Sequence, residues 1–278
     1  MDNQKPYLCE KRTFFKVDSP LLKFKQNVSS QCGEDGIIEQ VFKVIEPASH
    51  YFVEFGAWDG KHLSNCYNLA SNKDWYGAFI EGNAKKFDDL LAIHGSNEKI
   101  QCINSFVEID GDNKLDSILQ NAGAPANIDL ISIDVDGLDW FIWASLETFR
   151  PQLIVIEFNP TIPNDVSFVQ AKDSSISHGC SLLSLVELGK SKGYELICCT
   201  AWNAFFVPKE LYPLFEIKNN FLALLYQPIQ DGRIFHGYDS CIHIAGMDRL
   251  LWGNVVVSSE DFQILPKSLR RWGDAQNH

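Results

Sequence analysis

Phe52-Val53-Glu54-Phe55-Gly56-Ala57-Trp58-Asp59-Gly60 decides the fold of this chain, because it reads as a buried strand running straight into a tight turn. Tyr51 to Phe55 is a short apolar run broken by one acid, which suits a parallel strand covered on both faces. Gly56 lets the backbone turn sharply, and Gly60 is expected to let it approach a ligand with no Cβ in the way. A second apolar run, Trp75 to Ile80, ends in Glu81, 27 residues beyond Glu54. In doubly wound α/β sheets, an acid at the end of the second strand holds a ribose through its hydroxyls. The Gly-x-Gly-x-x-Gly spacing that cradles a pyrophosphate at a helix N-terminus is absent; the spacing here is Glu54-x-Gly56-x-x-x-Gly60. The expectation is therefore a nucleoside cofactor without a diphosphate, of which S-adenosylmethionine is the common one.

Outward from this stretch, strand-like and helix-like runs alternate, which implies a parallel sheet covered by helices. Upstream, Ser29-Ser30-Gln31-Cys32-Gly33-Glu34-Asp35-Gly36 precedes Ile37, Ile38, Val41, Phe42 and Ile45, apolar at helical spacing and stopped by Pro47. Downstream, strands are expected at 75–81, 99–103, 129–134, 153–158, 194–199 and 203–207. Helices are expected from His62 to Ser71, around Leu90, around Leu115, from Trp140 to Leu146 and from Ser181 to Lys192. The Trp140/Trp143 and Phe205-Phe206 pairs read as core. Three parts follow: an N-terminal segment and helix (1–46) contributing to the site, a cofactor-binding domain (47–214), and an extension (215–278). In the extension the alternation is lost; it is read as a lid, a dimer surface or packing, with His236 and His243 as lid candidates.

Composition narrows the class. The 278 residues carry a net charge of −12 and no basic cluster longer than a pair, so a nucleic-acid partner is not expected. No run of about 18 apolar residues marks a membrane span, and Met1 to Lys5 lacks the apolar core of a leader peptide. The eight cysteines include no Cys-x-x-Cys pair and read as reduced thiols, so a cytoplasmic enzyme is expected. At −12, a phosphorylated acceptor would need Lys, Arg or a metal to screen the crevice.

Ligands of such sheets sit beyond the C-terminal strand ends, which lines Glu54, Glu81, Asp134, Asp136 and Glu157 along one crevice. Residues two apart share a strand face, so Asp134 with Asp136, and Glu157 with Asn159, are expected to converge. Asp136 reads alternatively as the cap of the following helix, and Glu157 as the partner of a buried group. No metal is expected, since no spacing is specific for one; were one bound, Asp134, Asp136 and Glu157 would hold it. His178, in Ser177-His178-Gly179-Cys180-Ser181 before a helix, is a third candidate base after Asp134 and Asp136, its neutral form favoured by the helix N-terminus. His50, His62 and His94 are expected to face solvent.

Ser30-Gln31-x-Gly33-Glu34-Asp35-Gly36, Phe52 to Gly60, Ile80-Glu81-Gly82, Ile133-Asp134-Val135-Asp136-Gly137 and Asn203 to Val207 together resemble the FkbM-like class I S-adenosylmethionine-dependent methyltransferases, over about residues 29–208. That resemblance implies a Rossmann-like seven-stranded sheet of order 3-2-1-4-5-7-6 with the last strand antiparallel. It implies O-methylation of a sugar or other small hydroxylated, even phosphorylated, acceptor in polysaccharide or metabolite tailoring, with S-adenosylhomocysteine as product. The implied cofactor-binding set is Gln31, Glu34, Asp35, Glu54, Gly56, Trp58, Gly60, Glu81, Ser105, Phe106 and Asp134. Within it, Glu54, Gly56 and Gly60 line the methionine, Glu81 binds the ribose, and Asn104-Ser105-Phe106 flank the adenine. The family usually carries Asp-x-Glu-Gly after the fourth strand, where this chain has the shorter Asp136. Two other classes remain open: a nicotinamide-dependent oxidoreductase, which lacks its phosphate turn here, and a non-catalytic module that binds the cofactor.

Overall fold

The computed structural model describes residues 19–226, 233–237, 241–250 and 255–263. The first part of the N-terminal segment and much of the extension, 264–278 included, lie outside the described residues. In chain order the elements are α1 (Glu34–Val44), β1 (Tyr51–Phe55), α2 (Tyr67–Asn72), β2 (Tyr76–Glu81), α3 (Ala84–His94), β3 (Ile100–Asn104), α4 (Leu115–Asn121), β4 (Leu130–Ile133), α5 (Asp139–Ser145), β5 (Leu153–Glu157), α6 (Leu182–Ser191), β6 (Tyr194–Cys199) and β7 (Asn203–Pro208). The main sheet has the order β3-β2-β1-β4-β5-β7-β6. Strands β1 to β5 pair in parallel, and β7 runs antiparallel to both β5 and β6. This is the Rossmann-like sheet that the sequence leads one to expect.

Two-residue alternation sorts the strands onto two cores. Val53, Phe55, Ile131, Ile133, Ile154 and Ile156 meet Leu115 and Leu119 of α4, Trp143 of α5 and Leu185 of α6. Phe52, Phe79, Leu130, Leu153, Val155 and Phe205 meet Ile37 and Val41 of α1, Leu69 of α2 and Leu90 of α3. The same alternation puts Glu54, Glu81, Glu157 and Asn203 on the α1–α3 face. Polar side chains therefore gather on one side, at the strands' C-terminal ends. Trp143, Phe205 and Phe206 are fully buried, as expected of core, whereas Trp140 is only partly buried against it, its indole N–H donating to the Ser184 carbonyl at 3.2 Å.

The helix expected from His62 begins only at Tyr67. The intervening residues are held as turns: Asp59 Oδ1 accepts from the N–H groups of Lys61 and His62 at 2.9 and 2.6 Å. The seven described cysteines form no disulfide. Among the described residues no helix is long and apolar enough to cross a membrane. In the extension, the ring of Tyr226 meets Phe158 edge-on at 4.9 Å, just past the short helix α7 (Leu222–Leu225). Beyond it, β8 (Arg233–His236) and β9 (Ile242–Ala245) form a separate hairpin carrying His236 and His243.

Candidate active site

The turn after β1 forms because Gly56 takes φ +71° and Gly60 +67°. A Cβ at Gly56 would lie 1.8 Å from the Asp134 carbonyl oxygen, so this glycine brings the end of β1 against the end of β4. A Cβ at Gly60 would meet Leu90 Cδ1 and His94 Cδ2, both at 2.8 Å, so this glycine lets the turn pack against α3. His94 departs from expectation, being 2% exposed. Its Nε2 lies 3.0 Å from the Gly60 carbonyl and its ring 4.6 Å from Phe79, and burial lowers its pKa.

Glu54 forms the floor beneath this turn. One carboxylate oxygen accepts from Ser64 Oγ at 2.5 Å and the Cys66 N–H at 3.3 Å, and the other from the Asn65 N–H at 2.8 Å. Burial raises its pKa to about 7 against these hydrogen bonds, with the Asp35 carboxylate adding to the rise. Its charge is thus spent first on the 64–66 turn.

Asp139, which the sequence reading did not single out, organises the turn after β4. Its two oxygens accept from the Val135 and Gly137 N–H groups at 2.9 and 3.0 Å. The N-cap position of α5 is Leu138, so Asp136 does not cap that helix. Asp136 instead takes φ +55° and is exposed. One oxygen each of Asp134, Asp136 and Glu157 lie within 4.8 Å of one another. Asp134 is exposed by surface area, yet enough protein packs around its carboxylate to desolvate it. Desolvation, then Asp139 and Asp136, then Glu54 and Glu34 raise its pKa to about 8. Desolvation, then Asp134, Asp139 and Asp136 raise that of Glu157 well above the usual carboxylate range. Glu157 Oε2 is closed off from solvent and has no hydrogen-bond partner.

The expected convergence of Glu157 with Asn159 does not occur. Asn159 Oδ1 accepts from Thr161 and its Nδ2 donates to the His178 carbonyl at 2.9 Å, so it ties down the loop before α6. Asn203 lies beside Glu157 instead, as its register partner on β7. His178 is exposed, and α6 is capped by Ser181, whose Oγ accepts from the Ser184 N–H. The histidine thus lies three residues before the cap of α6.

The Gln-x-Gly-Glu-Asp-Gly stretch closes the crevice from the α1 side. Asp35 Oδ2 accepts from the N–H groups of Val28, Ser29 and Ser30 at 2.8–2.9 Å. Its Oδ1 is buried without a partner. Glu34 accepts from the Cys32 N–H at 2.6 Å and from Asn203 Nδ2 at 3.5 Å, which joins the N-terminal segment to β7. Gln31 is exposed.

At the other end, the oxygens of Glu81 accept one N–H each, from Trp58 at 2.9 Å and Asn83 at 2.7 Å, leaving further lone pairs for a ligand's hydroxyls. Trp58, at φ +47°, is exposed with Lys86 Nζ 5.0 Å from its ring centre. Phe106 is 68% exposed. Its ring lies against Gly82, where a Cβ would sit 2.3 Å from Phe106 Cδ1. Ser105 Oγ donates to the Phe106 carbonyl. None of the crevice acids forms an ion pair among the described residues.

No protein-family model matches this sequence, and no curated protein does. Among solved structures, a SAM-dependent methyltransferase from Aquifex aeolicus aligns at 11% identity, covering 69% of this chain and 97% of that one, with a TM-score of 0.39. The N-terminal domain of EvdMO1 with SAH bound aligns at 11% identity, covering 63% and 79% respectively, with a TM-score of 0.40.

Proposed function

We propose that this chain is a methyltransferase that uses S-adenosylmethionine to O-methylate a sugar or other small hydroxylated acceptor. One observation carries the reading. An exposed aromatic just past β3, a doubly anchored acid at the end of β2, and acids at β1 and β4 that pair with no Lys or Arg among the described residues follow one another along one sheet edge. That order suits a nucleoside whose far end is cationic. Phe106 offers its face to a base, and the free lone pairs of Glu81 suit ribose hydroxyls. The buried, partnerless Asp35 Oδ1 and the acids Glu34 and Glu54 suit the ammonium and sulfonium.

The bound cofactor supplies an electrophilic methyl group, so the chain's task is to hold the acceptor oxygen in line and to take its proton. A hydroxyl is too weak an acid to ionise at neutral pH. Asp134, whose pKa of about 8 lies near the working pH, is a stronger base than an ordinary carboxylate and is our first choice. Asp136 is second. His178 is third, its backbone held by hydrogen bonds from Asn159 and to Gln170.

The test is transfer of labelled methyl from S-adenosylmethionine to a panel of sugars, sugar phosphates and amines. Label on a hydroxyl oxygen supports the proposal, and label on nitrogen or carbon overturns the O-specific part. Tight binding of S-adenosylhomocysteine with no transfer to any acceptor would favour the non-catalytic module instead.

A further inference from the structure

Between β5 and α6 the chain makes a loop, residues 170–179, whose two ends meet. Val169 bridges Cys180 in antiparallel fashion, and the Gln170 N–H donates to the Gly179 carbonyl at 3.0 Å, so the loop hangs from a narrow neck. One side chain fills its interior. Gln170, 4% exposed, accepts at Oε1 from the N–H groups of His178 and Gly179 at 2.8 and 2.7 Å. Its Nε2 donates to the carbonyls of Ile176 and Asp173 at 2.7 and 3.3 Å. A carboxamide has two donors and two acceptor lone pairs, and all four are used inside this loop. A loop closed at its neck and packed by its own side chains is compact, and such loops are frequently functional.

Two contacts set this loop across one side of the crevice. A Cβ on Gly137 would lie 2.9 Å from both Gln170 Oε1 and the Ile176 carbonyl oxygen, so the loop sits against the turn after β4. Lys172 Nζ meets Asp110 Oδ2 at 2.5 Å, in the segment that runs from Phe106 to α4. In the order β3-β2-β1-β4, two strands separate these ends, which is about 14 Å at three strand spacings. The loop and its partner segment therefore bridge the side of the crevice between Phe106 and the β4 turn. The two contacts differ in strength. The first is tight packing on backbone, whereas Lys172 and Asp110 are 50% and 81% exposed. Exposed ion pairs hold weakly and are screened by salt, so this end of the loop can part at small cost while its interior stays intact.

We propose that the 170–179 loop is a lid over the adenosine end of the cofactor crevice, latched by the Lys172–Asp110 pair, and that parting of this latch sets how fast cofactor enters and leaves. The role rests on the S-adenosylmethionine reading of the crevice. Closure of such a loop shields the reacting groups from water and commits the ligand. The latch joins two loops and lies outside the proposed cofactor-binding set. Weakening it therefore favours the open form with and without ligand alike, which speeds entry and release by the same factor and leaves affinity unchanged.

The test is exchange of tritiated S-adenosylhomocysteine on the intact protein, with entry followed by rapid mixing and release by a chase of unlabelled compound. Asp110→Asn should speed both by about two- to fivefold, the range that an exposed ion pair supplies, with the dissociation constant and melting temperature unchanged. The difference from the wild type should vanish near 1 M salt, where the Debye length falls to about 3 Å. Lys172→Glu should act as Asp110→Asn does, and combining Lys172→Glu with Asp110→Lys should restore the slower exchange. Equal rates in the wild type and Asp110→Asn, or faster release alone with weaker binding, overturn the lid and leave the cofactor reading standing. No binding of S-adenosylhomocysteine by the wild type overturns both.

Discussion

Phe106 is the residue whose proposed role is easiest to separate from the fold, because it is largely exposed and buries little when truncated. Phe106→Ala should leave the melting temperature unchanged and weaken S-adenosylhomocysteine binding by about 1–3 kcal/mol, roughly 5- to 150-fold, as loss of base stacking does. Isothermal titration of the two proteins checks this, and equal affinities would remove Phe106 from the adenine site. Asp134→Asn should keep cofactor binding within a few-fold while turnover drops at least about 10²-fold. A parallel loss of both would make Asp134 a cofactor ligand and not the base. Glu54 gives a pH dependence with a definite sign. Its folded pKa, about 7, lies above that of an exposed carboxyl, so its contribution to stability is full below about pH 4.5 and lost as pH rises through 7. The melting temperature of the wild type relative to Glu54→Gln should therefore fall between pH 5 and 8; a constant difference would mean that Glu54 titrates normally. At this scale the sequence shows which acids end strands, since Glu81 and Asp134 follow apolar runs. It does not show Asp139 clasping its own turn, Asn203 meeting Glu34, or His94 turning inward. Those depend on contacts between residues as much as 169 apart.

The elements were the most legible level, and the reason is the two-residue alternation of apolar residues at strands covered on both faces. Helix starts were less so. The stretch Lys61 to Cys66 carries a helix-compatible pattern, but Asp59 and Glu54 take its N–H groups and delay α2 to Tyr67. The glycine turn shows the same limit: its positive φ angles follow from the residue type, whereas what each glycine faces comes from packing. Gly56→Ala should be costly on two counts, a strained φ and a Cβ driven into the Asp134 carbonyl. A loss of about 1–3 kcal/mol, or about 3–10 °C in melting temperature, is expected from thermal unfolding. An unchanged melting temperature would mean that the β1 and β4 ends are not held together as described.

Across the whole molecule, the sheet order places β1 beside β4 at the centre and β7 against β5, and this brings acids from β1, β4 and β5 to one crevice with the α1 segment as its wall. Alternation alone indicates a parallel sheet. The full order and the reversed β7 were expected only through the resemblance of five short motifs, since no local pattern states which strands are neighbours. The extension beyond residue 215, which those motifs do not reach, was not legible in the same way. Its Tyr226 contact with Phe158 is an encounter between aromatics 68 positions apart. The central claim, that this crevice is a nucleoside site with a cationic end, is tested most directly by titrating S-adenosylhomocysteine into the purified protein while following thermal unfolding. The account predicts saturable one-to-one binding that, at 100 times the dissociation constant, adds about 2.7 kcal/mol of stability and raises the melting temperature by about 5–10 °C. No shift at millimolar ligand would contradict it.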